Sequence, residues 1–212
     1  MDNIILILEV IGTVAFAVSG AAVGINKRLD FFGVLFCTVV ASTGGGVIRD
    51  VLIGNLPPVM FSNYIYLFTA LIIGIMVFIT AGVFKNIYLR EITNVDKVNN
   101  IFDALGLGVF TVTGMNTAIN MGYGDNAFFI IFLGVTTGCG GGILRDVIIN
   151  EVPFVLTKRI YAVASLAGAV VYYVLAITVE AGEIISVCSG IVTIFTIRIL
   201  ASVFRWDLPR AI

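Results

Sequence analysis

The chain has 212 residues, 59% hydrophobic and 12% charged, with a net charge of −1, no histidine and three cysteines, and its mean hydropathy is +1.11. Soluble globular domains carry roughly 25% charged residues, so the composition describes an integral membrane protein and excludes an ordinary soluble enzyme or a basic nucleic-acid binder. The missing histidine removes Ser-His-Asp and Cys-His catalysis and histidine-ligated metal sites together, and no cofactor is implied.

A bilayer core takes about 20 residues of apolar helix. By that measure the chain is a single transmembrane domain over 1–212 with seven spans, at roughly 4–25, 31–53, 64–84, 100–121, 127–149, 160–178 and 184–204. The first span opens on Asp2 with no basic residue before it, which reads as a retained span rather than a cleaved signal. It carries Glu9 near one end. After the joint "NKRLD" (Asn26 to Asp30), the second span contains "TGGGVIRDVLIG" (Thr43 to Gly54), three glycines followed by Arg49 and Asp50 in an otherwise apolar run. The joint "GNLPPVMFSN" (Gly54 to Asn63) leads to the third span, and "FKNIYLREITNVDKVNN" (Phe84 to Asn100) is the longest connection. The fourth span carries Asp103 near its start. "MGYGDN" (Met121 to Asn126) then joins it to the fifth, where the motif recurs as "CGGGILRDVIIN" (Cys139 to Asn150). The seventh span holds Arg198. Tyr64, Tyr66, Tyr88 and Trp206 read as interfacial belt residues. Cys37, Cys139 and Cys188 stand singly in apolar runs and read as packing thiols, without disulfide or zinc spacing.

Nine of the twelve lysines and arginines lie outside the spans, and they fall on alternate connections: Lys27 and Arg28; Lys85, Arg90 and Lys97; Lys158 and Arg159; Arg205 and Arg210. The intervening segments have none. This alternation predicts a cytoplasmic C-terminus and an N-terminus outside, in a bacterial inner membrane.

Residues 1–84 and 98–178 read as two copies. "IGTVAFAVSG" (Ile11 to Gly20) parallels "LGLGVFTVTG" (Leu105 to Gly114), Glu9 stands opposite Asp103, and the glycine motifs align. The third spans match only in hydropathy. Three spans per copy put the second copy into the membrane from the opposite side, an inverted repeat of three plus three with a seventh helix added, which is the architecture of transport pathways with a site near the midplane. Three glycines cost a helix roughly 1 kcal/mol each relative to alanine. The second and fifth spans are therefore expected to be kinked or broken at Gly44–Gly46 and Gly140–Gly142. Broken backbone survives in a membrane only against protein or a wet cavity, so the two motifs are expected to face one pathway. The opposing reading is packing, since small residues let membrane helices approach closely; single glycines such as Gly12, Gly20, Gly106, Gly114 and Gly168 read that way. Adjacent Arg and Asp do not share a helix face, so each is expected to find a partner elsewhere, and a purely structural salt-bridge network is the rival to ion handling. Arg198 either snorkels or pairs with Asp103 or Asp146, while Glu9 and Asp103 read as interfacial anchors before ion ligands.

With its two "GGGxxRD" segments and seven spans in inverted repeats, the chain resembles the bacterial members of the trimeric intracellular cation channel family, whose domain is also labelled a glycine transporter. The resemblance covers about residues 3–205. It implies a homotrimer with one pore per protomer, lined by the second and fifth helices and passing potassium and sodium. Carried over by position, the pathway residues are Gly44, Gly45, Gly46, Arg49, Asp50, Gly140, Gly141, Gly142, Arg145 and Asp146, with Arg198, Glu9 and Asp103 as supporting charges. Animal members carry a lysine-bearing motif in the second span; that span has no lysine here. Three functions stay open on the residues alone: a monovalent cation channel using carbonyls at helix breaks, a secondary transporter of a small amino acid such as glycine bound between half-helix ends, and a non-conducting scaffold.

Overall fold

The structure is a computed structural model that describes residues 2–157 and 160–206. Lys158, Arg159, Arg210 and Ile212 lie outside the described residues. The chain forms helices α1 (Asp2–Asn26), α2 (Phe31–Leu52), α3 (Val59–Ser62), α4 (Ile65–Val83), α5 (Lys85–Arg90), α6 (Ile92–Ala118), α7 (Ala127–Ile148), α8 (Phe154–Thr157), α9 (Tyr161–Tyr173) and α10 (Glu183–Val203). α6 and α9 each run into a single π-helical turn, Ile119–Tyr123 and Val174–Thr178. The connection expected over 84–100 is largely helical, taken up by α5 and the first turns of α6.

Among the described residues, six helices are long and apolar enough to cross a membrane: Ile4–Asn26, Phe31–Leu52, Ile65–Val83, Ala127–Ile148, Tyr161–Thr178 and Glu183–Val203. α6 is 27 residues long but less apolar than these, because its first turns carry Asn94, Asp96, Lys97, Asn99 and Asn100 and the rest carries Asp103, Asn116 and three of its four threonines. Its composition follows from its place. From Asp103 onward α6 is enclosed, with Ala104, Leu107, Val109, Val112, Met115 and Ala118 fully buried, so Asp103, Thr111, Thr113 and Asn116 meet protein rather than lipid.

α1, α2, α6 and α7 form the centre, α4 lies against α1 and α2, α9 lies against α6 and α7, and α10 lies against α6 and α9. Serine and threonine hydroxyls in the centre return to carbonyls one turn back, as Thr38 does to Val34 and Thr137 to Leu133, which lets them sit in apolar surroundings. Phe16 of α1 stacks on Phe110 of α6 with ring centroids 5.5 Å apart. Gly106 abuts the Phe16 ring, where a methyl group would stand 2.8 Å from it, and Gly12 abuts the Phe110 ring, where a methyl group would be tight at 3.2 Å. These four positions are exchanged by the correspondence between Ile11–Gly20 and Leu105–Gly114.

The expected breaks are absent. α2 and α7 are continuous helix through both glycine triplets, and none of those six glycines has a positive φ. The energetics explain it: each backbone group freed in an apolar interior costs several kcal/mol, more than the ~1 kcal/mol helical penalty of a glycine. The glycines serve close approach instead. A Cβ on Gly45 would stand 2.0 Å from the Thr137 carbonyl oxygen, and one on Gly141 would stand 2.1 Å from the Ala41 carbonyl oxygen. The contacts pair 41 with 141 and 45 with 137, so α2 and α7 cross antiparallel, backbone against backbone.

Candidate functional site

The antiparallel crossing fixes where the charged pairs go. Arg49 follows Gly45 by one turn on α2 and Arg145 follows Gly141 by one turn on α7, so they lie at opposite ends of the crossing, about 13 Å apart along the helix axes. Both helices end in the same manner. Gly54 and Asn150 adopt left-handed φ of 72° and 57°, glycine and asparagine being the residues that favour this terminus. The turn directs the chain back so that the Val59 N–H donates to Asp50 Oδ2 at 2.8 Å and the Phe154 N–H to Asp146 Oδ2 at 2.9 Å.

Around Arg49 the first cluster assembles. Its Nη1 donates to Glu9 Oε1 at 2.8 Å and its Nε to Asp50 Oδ1 at 2.8 Å. The Tyr66 hydroxyl donates to the other Glu9 oxygen at 2.5 Å. In the second cluster Arg145 Nε donates to Asp146 Oδ1 at 2.9 Å and Nη1 to Ser19 Oγ at 2.8 Å, with Asp103 Oδ1 3.5 Å from that Nη1. Arg198 Nη2 donates to Asn100 Oδ1 at 3.0 Å and lies 3.7 Å from Asp103 Oδ2, its guanidinium 4.6 Å from the centre of the Tyr161 ring. Arg49, Asp50, Asp103, Arg145, Asp146 and Arg198 are all at most 5% exposed. Charges so enclosed are tolerable only when paired, and removing one partner of a buried pair costs about 3–5 kcal/mol.

Several sequence expectations need correcting. Neighbouring Arg and Asp do bond each other in both motifs, because the long guanidinium folds back over the next residue's carboxylate. Glu9 and Asp103 are not interfacial anchors; they complete the two clusters. Arg198 pairs with Asp103 rather than snorkelling. Tyr66 is buried against Glu9 instead of lying in a belt, whereas Tyr64 and Trp206 are exposed. Cys37 and Cys139 are buried, but Cys188 faces outward. Tyr66 and Tyr161, Ser19 and Asn100 were missed. The signal for the tyrosines was present in "YIYLF" and "IYAVA", where Tyr66 and Tyr161 hold matching positions in the two copies.

The clusters differ in charge. Glu9 and Asp50 face one guanidinium, leaving one negative charge in excess. Asp103 and Asp146 face two, because α10, which belongs to neither copy, contributes Arg198. A cavity of about 30 Å³ lies beside the first cluster, lined by Thr13, Ser42, Thr43 and Gly46 as well as the charged groups. Beside the second is a polar cavity of about 240 Å³, lined by Asn99, Asn100, Asp103 and Asp146 and bordered by an ion pair between Lys27 and Glu151. Between the two cavities α2 and α7 are in backbone contact at the glycine crossing.

A family model described as a glycine transporter matches residues 6–82 and again residues 100–176. A prokaryotic TRIC channel crystallised in 0.5 M KCl superimposes with a TM-score of 0.86 at 34% identity, covering 98% of this chain and 100% of that one. The chain belongs to the trimeric intracellular cation (TRIC) channel family. Among family members, the TRIC orthologue from Rhodobacter sphaeroides superimposes with a TM-score of 0.85 at 29% identity, covering 96% of this chain and 100% of the other. A UPF0126 membrane protein from Deinococcus radiodurans is 40% identical over 80% of this chain and 75% of its own length. The inner membrane protein YadS of Escherichia coli K12 is 33% identical over 95% of this chain and 92% of its own.

Proposed function

We propose that the chain is a monovalent cation channel of the bacterial inner membrane, selecting potassium and sodium, with a pathway in each protomer of a homotrimer. The observation that carries this reading is the pair of cavities, each beside a buried Arg–Asp cluster, at opposite ends of a glycine crossing. The likeness to prokaryotic TRIC channels over almost the whole chain supports it. In this reading α6 is the fourth of seven spans, and α1–α2–α4 and α6–α7–α9 form two inverted units with α10 added. The alternating basic residues put the Glu9 cluster toward the outside and the Asp103 cluster toward the cytoplasm.

With α2 and α7 unbroken, no ring of freed carbonyls is available. A partly hydrated cation is instead drawn in by the excess negative charge of the Glu9 cluster and handed along the hydroxyls of Thr13, Ser42 and Thr43. It passes the glycine triplets when α2 and α7 separate, and leaves through the wider cavity. Only the absence of side chains at Gly45 and Gly141 allows the two helices both to close against each other and to part by a small slide. The glycine-transporter reading rested on half-helix ends to hold a carboxylate and an ammonium, and continuous helices do not supply them. Asp50→Asn and Asp146→Asn test the pathway in liposomes loaded with potassium: the first should lower cation flux more than the second, because only the Glu9 cluster has charge in excess. Equal fluxes for both variants and the parent protein would place the pathway elsewhere.

A further inference from the structure

A third cavity, of about 730 Å³, lies away from both clusters, where the ends of α1 and α4 meet α5. α1 and α4 are membrane spans and α5 follows them, so the cavity sits at the boundary between apolar core and headgroups. Its walls are divided in kind. Ile25, Leu29, Phe78 and Ala81 supply the apolar side, and Arg28, Lys85, Asn26 and Tyr88 the polar side. Arg28 and Lys85 are exposed. Arg28 adopts a left-handed φ of 57°, fixed by hydrogen bonds that occupy the last carbonyls of α1: Lys27 N to Val23 O, Arg28 N to Ile25 O and Leu29 N to Gly24 O. Those carbonyls are therefore not left as unpaired acceptors, and any anion in the cavity is held by the two cations rather than by the helix end. The Tyr88 hydroxyl donates to Asn26 Oδ1 at 3.0 Å, and Asn26 Nδ2 donates to Asp96 Oδ1 at 3.3 Å. Burial and the nearby Asp96 push the Tyr88 phenol above its ordinary value, so it stays an uncharged donor.

The matching place in the second copy, where the π turn after α6 and the end of α9 lie, carries Asp125, Glu180 and Glu183 and no lysine or arginine. Of the two matching places, the one with two cations above an apolar wall lies at the end the basic residues assign to the cytoplasm.

We propose that this cavity binds an anionic phospholipid of the inner leaflet, its phosphate between Arg28 and Lys85 and the start of its acyl chains against Phe78 and Leu29. Paired cations at a membrane surface favour anionic over neutral headgroups, and the effect multiplies with each charge. The site is on α1, α4 and α5, borders the wider cavity of the proposed ion pathway at Asn26 alone, and requires only that the protein be embedded in a bilayer.

Native mass spectrometry of the protein in mild detergent, with phosphatidylglycerol or phosphatidylcholine added, reads this directly. The parent protein should retain phosphatidylglycerol in preference. Arg28→Asn combined with Lys85→Gln should reduce that preference by roughly 30-fold; asparagine tolerates the left-handed backbone at position 28. Gly82→Leu is a second variant that keeps both charges. A Cβ there meets no atom within 4 Å, and the side chain projects against the apolar wall where the acyl chains would lie, so lipid retention should fall while the helix is strengthened. Arg205→Asn, a basic residue in the same backbone conformation outside the cavity, should change nothing. Equal retention of the two lipids by the parent protein would overturn the proposal. So would a loss in Arg205→Asn as large as in the double variant, or displacement of the lipid by inorganic phosphate alone.

Discussion

The middle glycine of each triplet should be far less replaceable than the last. Alanine at position 45 brings a methyl group to 2.0 Å from the Thr137 carbonyl oxygen, whereas an ordinary contact begins near 3.4 Å. The obstructing atom is backbone, so α2 and α7 must part by about 1.4 Å. Overpacking of this kind costs about 1–3 kcal/mol against a helical gain of roughly 1 kcal/mol, a net loss of up to about 2 kcal/mol. Gly46 is different: a methyl there meets only Arg49 Nη2, at 4.0 Å, so Gly46→Ala should stabilise the protein by roughly 1 kcal/mol. Yet Gly46 lines the cavity beside the Glu9 cluster, and a methyl takes up much of its space, so potassium flux should fall. Gly44 falls between, since its Cβ would meet Leu144 Cδ1 at 2.8 Å, the movable end of a side chain. Gly45 and Gly141 share one crossing, so the double alanine variant should cost less than the sum of the singles. Thermal unfolding and potassium flux on the same purified variants test this order. Gly45→Ala as stable as Gly46→Ala would refute the close-approach account of the triplets, and full flux in Gly46→Ala would remove that cavity from the pathway.

Arg145→Leu leaves Asp103 and Asp146 facing only Arg198 in the interior, and should cost about 3–5 kcal/mol, seen as loss of the assembled protein on size exclusion. Tyr66→Phe removes one hydrogen bond to Glu9 and should lower stability by about 1–3 kcal/mol; an unchanged unfolding temperature would show that Tyr66 does not support the cluster. A cysteine introduced at Ser62, which is exposed between α3 and α4, should react with impermeant reagents from outside intact cells. Labelling only after permeabilisation would reverse the orientation.

The membrane class and the doubled motif were legible because hydropathy and the repeat are carried by many residues at once. The glycine triplets were legible as a site but not in their conformation. Glycine weakens a helix and also admits a neighbour, and the choice depends on the partner backbone at Thr137 and Ala41, which no local pattern reveals. Tyr66 and Arg198 show the same limit. A tyrosine near the start of an apolar run is a belt residue until Glu9 from another helix comes within reach, and Arg198 lies on a helix outside the repeat, where no second copy points to its partner. The Arg–Asp contact within each motif was hidden for a smaller reason: helical spacing places neighbours on different faces, but the guanidinium is long enough to return.

Recording the purified protein in planar bilayers under a potassium gradient, with glycine counterflow measured in liposomes from the same preparation, tests the central claim most directly. The account predicts unitary currents that reverse near the potassium equilibrium potential, abolished or reduced in Asp50→Asn. Saturable glycine exchange with no unitary events would contradict it.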